Sequence, residues 1–285
     1  MNQAEFFLVG TPIGNLSDIS PRAADTLRAV DFIAAEDTRN TLKLLNHLGI
    51  KKPLISYHEH NKRSRGPEIL ARLNDGQTGA LVTDAGMPAI SDPGEDLVKL
   101  LTENGIVVTA VAGPCAFVEG LILSGLPTGR FCFEGFLPAV KKERIKRLEA
   151  LKNEERTLLF YEAPQRLIKT LEDLRDIFGG ERPMALAREL TKLHEQVLRG
   201  SIEQMLLHYT ENTPRGEYVL IVGGGTKEAA SAFWSAWDIP AHVAYYLQSG
   251  LSQMDAVKAV AKDRGVAKNQ IYREYVQYKE EHHGI

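Results

Sequence analysis

The segment Asp84-Ala85-Gly86-Met87-Pro88-Ala89-Ile90-Ser91-Asp92-Pro93-Gly94 places two carboxylates, a hydroxyl, two glycines and two prolines in eleven consecutive residues. Gly permits backbone torsions closed to other residues, and Pro fixes them. Such a loop is stiff and presents backbone N–H and C=O groups. A plain turn needs about two to five residues, so the length argues for a bound ligand. Asp92 before Pro93 also suits an Asx turn. A second cluster, Glu36-Asp37-Thr38-Arg39, gathers two carboxylates, a hydroxyl and a guanidinium. His58-Glu59-His60-Asn61 lacks the spacing of a zinc-peptidase motif and has no partner cluster elsewhere, so it predicts a polar rim rather than a metal site.

Each cluster follows a predicted strand. Gly79-Ala80-Leu81-Val82-Thr83 is an apolar run that ends in the long loop, and Asp31–Ala35 ends in Glu36. Phe6–Gly10 precedes Thr11-Pro12-Ile13-Gly14-Asn15, Pro53–Tyr57 precedes His58, and Val107–Val111 precedes Ala112-Gly113-Pro114-Cys115. Helices are predicted between them over 22–29, 41–48, 66–74 and 95–104, with Ser20-Pro21 as a helix start. This alternation predicts a mostly parallel sheet with the loops at its carboxyl edge, where open α/β sheets bind ligands.

After Pro127-Thr128-Gly129 the pattern changes. Strands are expected at 131–136, 157–161, 184–187 and 218–222, with helices over 141–152, 165–178 and 201–209. That is a second α/β domain with a mixed sheet. Gly223-Gly224-Gly225 reads as a linker to three further helices at 240–249, 254–265 and 268–281. The expected organisation is 1–116, 117–225 and a helical 226–285.

Composition narrows the function classes. With 34 basic and 37 acidic residues the net charge is −3, so no global field advertises nucleic-acid binding. Attraction to an anionic partner has to come from local patches, such as Lys141–Arg147, which equally suits a solvated helix face. The two cysteines, Cys115 and Cys132, form no metal or C-x-x-C pattern, which fits a reducing cytoplasm. No apolar run reaches the ~18 residues that a membrane span needs, and Met1–Glu5 lacks a signal peptide's basic region. A cytoplasmic protein is expected.

Taken together, Gly10-Thr11-Pro12-Ile13-Gly14-Asn15, Glu36-Asp37-Thr38-Arg39, the 84–94 loop, Ala112-Gly113-Pro114, Tyr161-Glu162-Ala163-Pro164, Ala187-Arg188-Glu189-Leu190-Thr191-Lys192 and Gly216-Glu217-Tyr218 resemble the tetrapyrrole methylase superfamily. The resemblance covers roughly 5–224. It implies two α/β domains with S-adenosyl-L-methionine between them, and a homodimer. Corrin and sirohaem enzymes of this superfamily carry Gly-Pro-Gly in the first loop, where this chain has Thr11-Pro12-Ile13. The motifs are nearest to the branch that methylates the ribose 2′-hydroxyl of a cytidine in small-subunit ribosomal RNA.

Carried onto these positions, the resemblance implies that Pro12, Asp84, Ala85, Gly86, Pro88, Ser91 and Asp92 hold the cofactor. Tyr161, Ala163 and Ala187 flank its base from the second domain. Methyl transfer asks the protein to align acceptor and donor and to manage a proton. Glu36, Asp37 and Glu189, with Glu59 and Glu195 as further carboxylates, are the candidates for that, and Arg39, Arg188 and Lys192 for phosphate contacts. Arg188-Glu189 equally fits a surface ion pair. Two other functions stay open on the residues alone: a methylase of a tetrapyrrole or other small acceptor, and a non-catalytic RNA- or ribosome-binding protein. Ligand-type loops at most strand ends disfavour the second, and the basic positions disfavour the first.

Overall fold

The computed structural model describes residues 4–225, 234 and 237–283. Its contacts separate into two compact units, Met1–Gly225 and Thr226–Ile285.

The first unit begins with a parallel five-stranded sheet built from β1 (Phe6–Val9), β2 (Phe32–Ala35), β3 (Leu54–Ser56), β4 (Gly79–Val82) and β5 (Val108–Val111), in the order β3-β2-β4-β1-β5. Its central strands are apolar on both faces because both are covered. On one side Phe6, Phe32 and Leu81 pack with Ile69 and Leu73 of α3 (Lys62–Asn74) and Leu97 and Leu101 of α4 (Glu95–Glu103). On the other, Val9, Ile33 and Val82 meet Leu27 of α1 (Pro21–Ala29) and Leu45 of α2 (Thr38–His47). Gly79 is where the crowding shows: a Cβ there would sit 2.5 Å from the Phe32 ring.

The second sheet has the order β6-β7-β10-β8-β9, from β6 (Phe131–Phe136), β7 (Thr157–Glu162), β8 (Pro183–Arg188), β9 (Gln196–Ser201) and β10 (Tyr218–Val222). Only β6 and β7 run parallel; the other neighbours are antiparallel. One face carries α6 (Lys141–Leu151), α7 (Leu167–Phe178) and α8 (Ile202–Glu211), with Leu148, Leu171 and Met205 in its core. The other face carries α5 (Ala116–Ser124), through Leu121 and Phe117. Parallel then mixed sheets agree with the expected architecture.

Several boundaries differ from the sequence reading. Helix α2 begins at Thr38, three residues before Thr41, because the Asp37 carboxylate accepts from the Arg39 N–H and caps it. Helix α3 begins at Lys62 and runs through Gly66 and Pro67, which the sequence reading treats as its start; buried Gly66 lets α3 approach Leu100 of α4. Neither α5 nor β9 is among the predicted elements.

The second unit holds α9 (Ile239–Gln248), α10 (Gln253–Arg264) and α11 (Lys268–His283) around Val243, Val257, Val260 and Ile271. Gly265, at φ 65°, ends α10 in the left-handed conformation and turns the chain into α11. Among the described residues, no helix is long and apolar enough to cross a membrane.

Candidate active site

In a parallel sheet every strand delivers its following loop to the same edge. Here the β1, β4 and β5 loops are locked together there. Gly10 and Gly113 touch so closely that a Cβ on either would stand 2.7 Å from the other's backbone. Thr11 and Gly86 exchange backbone hydrogen bonds of 2.9 and 3.0 Å, and the Thr11 hydroxyl donates to the Thr83 carbonyl at 3.2 Å. Gly86 has φ 85° and Gly94 φ 148°, torsions that favour glycine.

This edge and the second sheet enclose a cavity of about 460 Å³, a volume within the usual range of small-molecule sites. Glu36, Asp84, Ala85, Gly86, Ser91 and Asp92 line it from the first sheet. Tyr161, Ala163, Ala187 and Glu189 line it from the second. Thus residues far apart in the chain and singled out from its sequence do converge. The four non-glycine residues with positive φ among the described residues are Ala89, Ser91, Glu189 and Thr191, all in the two loops that bound the cavity. Backbone held in such sparsely populated torsions concentrates at functional sites.

Other candidates stand elsewhere. Pro88 is buried and Pro12 half-buried; neither lines the cavity, and Met87 and Ile13 do. Asp37 accepts from Arg39 through Oδ2 and Nη2 at 2.6 Å, with the Arg39 side chain 86% exposed outside the cavity. The guanidinium holds the Asp37 carboxyl down to about 2. Strand alternation separates Arg188 from Ala187. Ala187 packs on the α5 face of the second sheet, whereas the Arg188 charge acts on Tyr209, in the cluster on the opposite face. Of the basic run on α6, Arg144 is buried on Asp173 at 2.7 Å and Arg147 pairs with Glu134 at 2.5 Å. Lys142 and Lys146 remain exposed.

The cavity has two electrostatic ends. Glu36, Asp84 and Asp92 make one end acidic. The Thr83 hydroxyl donates to Glu36 Oε2 at 2.9 Å, and Asn40 Nδ2 to Asp84 Oδ2 at 3.0 Å. Burial, then the charges of Glu36 and Asp84, push Asp92 up to about 6. Among the lining residues Lys192 is the single cation, and its Nζ is bonded to Glu189 Oε1 at 3.0 Å. That bond lowers the Glu189 carboxyl from its ordinary value. The second sheet supplies the apolar wall of Ala163, Ala187, Leu190 and Val219. Half-buried Tyr161 stays protonated, its pKa raised by desolvation; its hydroxyl accepts from the Phe117 N–H at 3.2 Å.

S-adenosyl-L-methionine fits these walls. Its sulfonium and ammonium suit an uncompensated acidic end, and its adenine suits an apolar wall. A Cβ on Gly86 would stand 3.4 Å from Ile13 Cγ2 and 3.6 Å from the Pro114 carbonyl oxygen, so the glycine keeps that rim open. Sequence reasoning passed over Ile13, Met87, Cys115 and Phe136, which also line the cavity. They are apolar residues in or beside loops and carry no chemical signal of their own.

Residues 5–206 match the family model described as Tetrapyrrole (Corrin/Porphyrin) Methylases. The chain is 47% identical over 267 residues to "Ribosomal RNA small subunit methyltransferase I" of Synechocystis sp., covering 94% of this chain and 95% of that one. It is 45% identical over 272 residues to the protein of the same name from Bacillus subtilis, with 94% and 93% covered. Among solved structures, it resembles uroporphyrin-III-C-methyltransferase from Thermus thermophilus with a TM-score of 0.56 at 21% identity, over 78% of this chain and 94% of that one. This last likeness concerns the fold alone.

Proposed function

The chain belongs to the tetrapyrrole methylase family, and from that premise we propose that it transfers a methyl group from S-adenosyl-L-methionine to small-subunit ribosomal RNA, at the ribose 2′-hydroxyl of a cytidine. The observation that carries this reading is 47% identity, over nearly the full length of both chains, to a relative named for that RNA. The ribose and the cytidine follow from the resemblance of the first-loop motif Gly10–Asn15, with Glu36–Arg39 and the 84–94 loop.

The cofactor supplies an electrophilic methyl group. The protein binds and aligns the reactants and keeps water away. Ala163 and Ala187 are small enough to admit a flat base against their wall, and the acidic end is left for the positive groups. RNA phosphates then have to find cations outside the cavity: Arg39 at the β2 rim and Lys142 and Lys146 on α6. The assembled ribosomal subunit is the proposed substrate.

Two measurements test the reading. Calorimetric titration is expected to show one S-adenosylhomocysteine per chain. Mass spectrometry of ribosomal RNA from cells lacking the gene is expected to show one missing ribose methyl group, restored by purified chain and isolated subunits. Unchanged RNA would refute the function. Arg39→Ala, and separately Lys142→Ala with Lys146→Ala, are expected to weaken subunit methylation while cofactor affinity holds. Each lost phosphate contact flattens the log–log salt dependence by about 0.7 to 0.9. Normal methylation with an unchanged salt slope would point instead to a small uncharged acceptor.

We also propose a homodimer, formed on α5. That helix is apolar almost all round, and helices of that kind are normally covered on every side. Yet Val118, Leu123 and 65%-exposed Ile122 face outward. Two-fold assembly is the commonest way to cover such a face. Ile122→Glu is expected to halve the mass measured by light scattering at micromolar concentration; a wild-type monomer would refute the proposal.

A further inference from the structure

Of the large apolar side chains that line the cavity among the described residues, two are exposed: Phe136, at 54%, and Ile90. They come from opposite walls, the end of β6 and the loop after β4. Regular alternation would put Phe136 on the opposite face of the sheet from Phe133. A bulge changes that. Phe133 pairs with Leu159 and Phe136 with Tyr161, so Glu134 and Gly135 together stand opposite Phe160 alone. The extra residue returns Phe136 to the face of Leu159 and Tyr161, the face that also carries Ala187 and Val219 to the cavity. Bulges beside functional sites commonly re-aim a side chain in this way. Gly135 takes φ 63°, and a Cβ there would stand 3.1 Å from Ser91 Oγ, so the glycine also lets β6 close up to the long loop. The backbone is clamped on both sides of the ring. Before it, Glu134 is paired with Arg147. After it, Arg166 donates to the Leu137 carbonyl at 2.6 Å, and Arg144 to the Pro138 and Ala139 carbonyls. Tyr161, 5.5 Å away between ring centres, is itself anchored on the Phe117 N–H. An exposed ring adds little to stability, yet this one is held in place at the mouth of the site.

We propose that Phe136 is the platform on which the base of the acceptor nucleotide stacks while its ribose reaches into the cavity. This rests on the reading of function given above. The ribose hydroxyl has to come within about 3–3.5 Å of the methyl group, and the base on the same sugar is then drawn out of its stack in the RNA. Unstacked RNA bases are held by stacking on aromatic side chains. The adenine of the cofactor has the wall of Ala163, Ala187, Leu190 and Val219, of which the last three are buried. The exposed ring is left for a group that arrives from solvent. The chain runs from Phe136 through a short loop into α6, whose exposed Lys142 and Lys146 suit the flanking phosphates. An aromatic platform beside a line of cations is how proteins hold unpaired strands. Such a ring grips the flat face of a base and does not read its identity.

The test compares second-order rate constants for methyl transfer to small subunits that lack the mark with calorimetry of S-adenosylhomocysteine. Phe136→Ala and Phe136→Leu are expected to slow transfer about 5- to 150-fold, the usual worth of one stacked base, with cofactor affinity within about threefold. Phe136→Leu keeps an apolar side chain without a π-face. Phe136→Tyr keeps the π-face, so it is expected to stay within about threefold of wild type. Melting temperatures should hold within about 2 °C, because the ring is exposed. Wild-type transfer by Phe136→Leu would overturn the proposal, and so would a Phe136→Tyr variant as slow as Phe136→Leu. A loss of S-adenosylhomocysteine affinity of about tenfold or more would overturn it by giving the ring to the cofactor's adenine. A mass halved in light scattering would overturn it by giving the ring to a second copy of the chain. Methylation of the same subunits by the wild-type chain decides the functional reading separately, so the two failures are distinguishable.

Discussion

Gly86→Val is expected to abolish S-adenosyl-L-methionine binding in a protein that still folds. Residue 86 has φ 85°, and a left-handed torsion costs a β-branched residue about 1–2 kcal/mol or more. The side chain would also fill the rim between Ile13 and Pro114 that the glycine leaves open. Relief of either strain disturbs the paired hydrogen bonds between Thr11 and Gly86, which hold the β1 and β4 loops together. Calorimetry is expected to show affinity reduced about 100-fold or more, equivalent to about 2.7 kcal/mol. The melting temperature should fall by only a few degrees for a change of about 1–2 kcal/mol. Gly86→Ala adds one methyl group and is expected to fall between. Undiminished binding by Gly86→Val would remove this loop from the cofactor site.

The largest loss of stability is expected far from the cavity, at Asp173→Ala. Asp173 and Arg144 are both buried, with Nε 2.7 Å from Oδ2. Arg144 also donates to the Pro138 and Ala139 carbonyls and so ties α6 and its entry loop to α7. Removing the carboxylate leaves a buried guanidinium without its counter-charge, at a cost of about 3–5 kcal/mol. Replacing both residues with apolar ones of similar volume is expected to recover much of this, because the burden is the unpaired charge. Urea unfolding midpoints of the single and double variants measure it. A loss below about 1 kcal/mol for Asp173→Ala would mean that water reaches Arg144, as it does at a surface ion pair.

Arg144 also shows how a linear reading of charge misleads. In the sequence it belongs to a basic run with Lys141, Lys142, Lys146 and Arg147. In the fold that run divides by helical face: Arg144 points inward with Leu148 and Leu151, while Lys142 and Lys146 point outward. Which of these cations has a carboxylate opposite depends on α7 and β6, and neither is local. Arg188 follows the same logic on a strand. Its neighbour Ala187 lines the cavity, and strand alternation sends Arg188 to the other face. Helix α5 escaped notice for another reason. Ala116–Ser124 is apolar on nearly every side and contains Gly120, so it has no amphipathic period. Strand β9 is an edge strand with Arg199 and Gly200 in it and no fully buried residue.

By itself the sequence marked loops that turn out to line the cavity. The density of Gly, Pro, Asp and Ser after an apolar strand is a local property, and it marked 84–94 as a ligand loop. Strand–helix alternation likewise determined the parallel sheet, and with it the edge where those loops emerge. The tertiary structure decided which side chains meet. Glu36 and Asp92 lie on different strand loops, and only the order β3-β2-β4-β1-β5, which seats β2 beside β4, puts them around one Thr83 hydroxyl. The second sheet supplies the facing wall of the cavity. Partial burial between these walls shifts Asp92 upward, because desolvation is set by everything packed around a group and not by its neighbours in sequence.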